Sequence, residues 1–188
     1  MSTIQSSDIK LAIEAGLLKR LRIIMGALGA SALVYLVVAL LQPPAIQVAV
    51  IHDEQTIKTF SSLLAGAAVV MLTLAWILPN KKLKNTDWAA YFEKGMPLPK
   101  GGMLTDRGQI VAQVITGYYI MRVALTEAVA IMGLTLFMYA HFVCGNLEKT
   151  SPVYYLTLAP CPVIALLIWS WIPNEEKLNE LFETKLIN

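Results

Sequence analysis

Four long, predominantly apolar runs with few charges decide what this chain can fold into. They occupy residues 21–41, 60–78, a stretch within 110–143, and 153–172. A helix needs roughly 20 such residues to cross about 30 Å of hydrocarbon, and each run is long enough. Three of them end on structure-breaking residues: Gln42-Pro43-Pro44, Pro79-Asn80 and Pro173-Asn174. Composition agrees, with 56% hydrophobic and only 15% charged residues, against about 45–50% and about 25% in soluble domains. The first run is too long for a secretory h-region and lacks an A-x-A-like exit, so it reads as a retained span. The expectation is an all-α integral membrane protein of one domain, residues 1–188. Its four transmembrane helices fall at about 21–41, 60–78, 120–143 and 153–172, and are arranged either as a simple bundle or as two tandem hairpins.

The basic residues orient these spans. Lys10, Lys19, Arg20 and Arg22 stand before or at the very start of the first; Lys81, Lys82, Lys84, Lys94, Lys100 and Arg107 lie in the loop 79–109; Lys177 and Lys185 follow the fourth. The other two loops hold only Lys58 and Lys149. By the positive-inside rule both termini and the central loop are cytoplasmic. Trp76, Trp169 and Trp171 then sit at the inner border and Tyr154 and Tyr155 at the outer one, as aromatic belts do. No organelle-targeting feature is present, which points to a bacterial inner membrane. A net charge of +2 gives no reason to expect a nucleic-acid partner. Two cysteines make no disulfide framework.

Short elements are expected between the spans. Ser7 or Asp8 can cap a helix with Ile9, Ala12, Ile13, Gly16 and Leu17 on one stripe; it is either an interfacial helix or an extension of the first span. Thr86 or Asp87 can cap a helix carrying Trp88, Tyr91 and Phe92, and Asp106 with Gln109 forms a capping box for the third span. Residues 96–102, Met-Pro-Leu-Pro-Lys-Gly-Gly, break regular structure. The outer run 45–51 is β-prone and apolar, a surface for lipid or a partner. The exits Trp76-Ile77-Leu78-Pro79-Asn80 and Trp171-Ile172-Pro173-Asn174 are alike. They mark either a tandem repeat or convergence on a common exit composition.

The third span carries Arg122 and Glu127. Ionisable residues in a span are costly and functional by default. Arg122 falls at the inner boundary, where its stem can snorkel. Glu127 lies about a turn deeper. Five residues set the two roughly 140° apart around a helix, so Glu127 needs another partner, a proton or a cation. A bridge to Arg22 on the first span, a contact with another subunit or water, and a titrating transport carboxylate are the alternatives.

The segment Ala124-Leu125-Thr126-Glu127-Ala128-Val129-Ala130-Ile131-Met132-Gly133-Leu134 resembles the ion-binding helix of rotary-ATPase proteolipids. The resemblance implies a buried carboxylate that takes up a proton or Na⁺. It covers about a dozen residues. Glu127 stands on the first helix of the second hairpin, whereas the proteolipid carboxylate stands on the second helix of its hairpin. The Gly-rich inner helix is missing, the first span offering only Gly26 and Gly29. The pattern Arg122-Val-Ala-Leu-Thr-Glu127 also resembles that of a group of short bacterial membrane proteins.

Other features are weaker. His141 and Cys144 share a helix face and, with His52, offer three soft metal ligands; interface polarity also accounts for them. Pro160 and Pro162 kink the fourth span. Gly26, Gly29, Gly66 and Gly133 allow close helix packing. Nucleophile triads, haem pairs, dinucleotide fingerprints and H-E-x-x-H are absent, and no cofactor is expected. The sequence therefore implies a non-enzymatic membrane protein, partnered by lipids and by copies of itself or other membrane subunits. The alternative is a proton- or cation-conducting subunit centred on Glu127.

Overall fold

The computed structural model describes residues 4–41, 54–99, 101–142 and 158–185, most of them helical. In chain order the elements are α1 (Ser6–Glu14), α2 (Leu17–Leu40), α3 (Glu54–Lys84), α4 (Trp88–Lys94), β1 (Met96–Pro97), β2 (Met103–Leu104), α5 (Arg107–Phe142), α6 (Pro160–Ser170) and α7 (Glu175–Lys185). Among the described residues the chain is thus all-α but for one two-residue ladder. Among the described residues, three helical stretches are long and apolar enough to cross a membrane: Leu17–Leu40, Thr59–Lys84 and Arg107–Tyr139. The fourth expected span is represented by the shorter apolar helix α6, and residues 153–157 lie outside the described residues. So do the outer run 45–51 and the belt tyrosines Tyr154 and Tyr155.

The described residues group into two compact units. The first holds residues 1–25, 76–122 and 172–188. Here α1 packs against α7. Ile9, Ala12, Leu17 and Leu21 are buried on one side and Leu178 on the other. The apolar stripe of α1 is therefore covered by the protein itself. The alternative in which α1 extends the first span does not hold, because the helix breaks at Ala15-Gly16. Gly16 adopts φ 87°, a left-handed conformation that costs glycine little and other residues more.

The carboxylate of Asp8 closes the start of α1 by accepting the backbone N–H of Gln5 at 2.8 Å. The same carboxylate accepts from the Arg107 guanidinium at 3.0 Å, which in turn lies over the Phe92 ring, 4.1 Å from its centroid. Asp8 is almost wholly buried, while the Arg107 side chain is 42% exposed, so screening limits the ion pair to about 1 kcal/mol. With the lost cap, Asp8→Ala should destabilise the fold by about 1–2 kcal/mol in denaturant titrations. An unchanged midpoint would mean that the clasp is ornamental.

The central segment is more ordered than a loop. Asp87 accepts the Ala90 N–H at 3.0 Å and starts α4. Met96 and Pro97 pair with Leu104 and Met103 across a turn through Gly101-Gly102. Asp106 accepts the Gln109 N–H at 2.7 Å and starts α5.

The two Pro-Asn exits do different work. Helix α3 does not stop before Pro79 but runs through it to Lys84. Pro79 leaves the Ala75 carbonyl without its helical donor, and the adjacent Asn80 side chain adds a bond to the next carbonyl along, that of Trp76, at 2.7 Å. Helix α6 does end, at Ser170. Asn174 then caps a new helix, accepting the Lys177 N–H at 2.8 Å. The similarity of the two sequences does not extend to their local structure.

The second unit holds residues 26–75 and 123–171. Its interior includes Ala32, Val129, Ala130, Cys161, Ile164, Ala165 and Ile168, with Ala39, Phe137 and Leu158 forming one cluster. Its exterior is strongly apolar: Val34, Val37, Leu63, Val69, Val163 and Leu166 are all more than half exposed. A water-facing surface rarely exposes so many large apolar side chains.

Candidate functional site

The second unit buries two polar residues side by side. Thr126 is wholly buried and Glu127 is 9% exposed, both on α5. Opposite them α2 presents Ser31 and Tyr35, which share a face because they are four residues apart. The Ser31 hydroxyl and the Tyr35 hydroxyl both bond the Glu127 carboxyl, the latter at 3.2 Å. Ser31 Oγ is also 2.6 Å from the Leu28 carbonyl.

Counting protons makes this arrangement informative. A serine hydroxyl has one hydrogen and cannot donate to both Leu28 and Glu127. Either Ser31 donates to an ionised carboxylate, or it donates to the Leu28 carbonyl and a protonated Glu127 donates to Ser31. Tyr35 donates to the carboxyl oxygen in both cases. The same heavy-atom positions thus satisfy Glu127 with and without a proton.

The other residues singled out in the sequence are placed as follows. Arg122 lies over the Trp76 ring, 5.0 Å from its centroid, a cation–π geometry. Arg22 is exposed on α2. Both arginines belong to the first unit and Glu127 to the second. Gly29 lies tight against the Trp169 indole, whereas an added Cβ at Gly26 or Gly66 meets nothing within 4 Å. Gly133 and Pro160 line a groove of about 190 Å³ between α3, α5 and α6. Pro160 stands at the first position of α6, where its missing N–H would have had no partner; Pro162 follows within the first turn. Cys161 is buried, with Sγ 3.8 Å from the Ala130 carbonyl. His52, Cys144 and the His141 side chain lie outside the described residues. Among those described, no cluster of three potential metal ligands occurs.

Ser31 and Tyr35 are the partners that sequence reasoning missed. The available signal was their i, i+4 spacing inside an apolar run. Comparison with family models, with curated proteins and with solved structures finds no match for the chain.

Proposed function

We propose that this is a four-span integral membrane protein with both ends cytoplasmic, serving as a non-enzymatic subunit of a bacterial inner-membrane assembly. The observation that carries the assembly is helix α3. Only 6% of its most apolar stretch is buried within the chain, and its outward stripe Leu63, Gly66, Val70 and Thr73 combines bulky apolar residues with an open glycine. Helices in a bilayer associate through such small-residue surfaces. The apolar run 153–172 is long enough in sequence for a span, and the lysine asymmetry orients the four. The extramembrane parts are too small to build a catalytic domain. Native mass spectrometry after mild extraction is the test. A multiple of 20.7 kDa, or unlike subunits bound to the chain, is the expected result; a lone chain overturns the assembly.

A second reading, proton or cation conduction through Glu127, is favoured by the two proton arrangements that the Ser31–Glu127–Tyr35 cluster satisfies. Reconstituted into proteoliposomes, the wild type would then pass ions and Glu127→Gln would not. Absence of flux in the wild type removes this reading.

A further inference from the structure

A cavity of about 240 Å³ lies in the first unit, between the end of α3, α4, β1 and the first turns of α5. Its floor includes Leu83, Val114 and Gly117, and its polar lining includes Lys82, Tyr91 and Gln113. Two other hydroxyls at this site are already committed: Thr86 donates to the Lys82 carbonyl at 2.9 Å, and Tyr118 to the Asn80 side chain at 3.1 Å. Among the described residues, the Lys82 ammonium, the Tyr91 hydroxyl and the Gln113 amide have no protein partner. No carboxylate lines the cavity, while Lys81 and Lys84 flank Lys82 in the same helical turn.

Lys82, Tyr91 and Gln113 bring three kinds of donor, an ammonium, a phenol and an amide, to the lining of one space, with net positive charge. They suit an oxyanion with several acceptor oxygens, above all a phosphate. The apolar floor suits something attached to it. We propose that this cavity binds a phosphate-bearing anion, and that the headgroup of an anionic phospholipid supplies it. The lipid source rests on the membrane reading above, which puts this unit at the cytoplasmic headgroup level, where basic pockets meet anionic lipid. The neighbouring pair Trp88 and Phe92, 6.0 Å apart on α4, is the aromatic complement expected at that depth.

The test uses the full chain in nanodiscs of phosphatidylcholine with and without phosphatidylglycerol, ejected into a mass spectrometer to count retained lipid. Phosphatidylglycerol should be kept in preference. Lys82→Gln should lower that preference about fivefold, the worth of one lysine near a membrane surface. Lys84→Gln removes the same charge outside the cavity and should leave the preference unchanged. Gly117→Leu should abolish retention by filling the space, since a Cβ at Gly117 meets nothing within 4 Å. Retention indifferent to both Lys82→Gln and Gly117→Leu overturns the proposal.

A second arm identifies the source. In neutral detergent, sodium phosphate is compared with sodium chloride at equal ionic strength. A rise in unfolding midpoint with phosphate, lost in Lys82→Gln and unaccompanied by a lipid preference, keeps the phosphate chemistry and assigns it to a soluble ligand. No effect in either arm ends the proposal. The membrane reading is scored separately by an alkaline carbonate wash. A chain that washes off while phosphate still stabilises it sinks the spans and spares the cavity.

Discussion

Gly29→Ala should markedly lower the unfolding midpoint of the detergent-solubilised protein, while Gly26→Ala three residues earlier should not. A Cβ built on Gly29 would meet the Trp169 indole, with Cδ1 at 2.6 Å and Cε2 at 3.1 Å. The indole is rigid and must turn as a whole, next to the buried Ala165 and Ile168 of its own helix. Overpacking of this kind costs about 1–3 kcal/mol. The same methyl at Gly26 touches nothing and gains the helix propensity of alanine, roughly 0.5–1 kcal/mol. The cause is checked by a double-mutant cycle. Truncating Trp169 in the Gly29→Ala background should cost far less than the two losses added together. Additive losses would mean that α2 and α6 do not meet at this point.

The second large effect is at the carboxylate. Ser31→Ala should destabilise more than Glu127→Gln. Removing Ser31 takes one of two bonds from a nearly buried acidic group, at about 1–2 kcal/mol on the scale of interhelical and charge-assisted hydrogen bonds. A glutamine keeps an amide oxygen able to accept from both Ser31 and Tyr35, so its cost should stay below about 1 kcal/mol. The double variant Ser31→Ala with Glu127→Leu should recover most of the loss, because replacing both partners by apolar groups strands neither. Equilibrium unfolding in denaturing detergent measures all three. If Glu127→Gln proves the most damaging, the carboxylate has a task that hydroxyl bonding does not describe.

Some of this was readable from residue order alone. Long apolar runs announce helices because nothing else satisfies so much backbone in so little polar surface. Asp87 and Asp106 announce helix starts because a short carboxylate reaches the free N–H groups of a first turn. Glu127 drew attention through its cost. Its partners did not, since a serine and a tyrosine in an apolar helix are cheap enough to pass as filler. Charge reasoning looked to arginines, where the structure places two hydroxyls on the carboxyl. Pro79 reads as a stop in the sequence, yet α3 continues through it to Lys84; residue order alone does not show that the Asn80 side chain reinforces this turn on the Trp76 carbonyl. The stripe on α1 looked lipid-facing because periodicity shows that a face is buried without showing against what. Helix α7 was not foreseen, because its charged sequence reads as a solvated tail until Leu178 is seen to be covered.

The packing of α1 on α7 also bears on how the protein is made. Roughly 160 residues separate the two helices, a long-range closure of the kind that folding completes late. Until α7 leaves the ribosome, α1 lacks one of the helices it packs against in the finished chain. A truncation that deletes α7 would therefore prolong a state every copy passes through, and aggregation during biogenesis, rather than weaker binding or conduction, would be its first symptom.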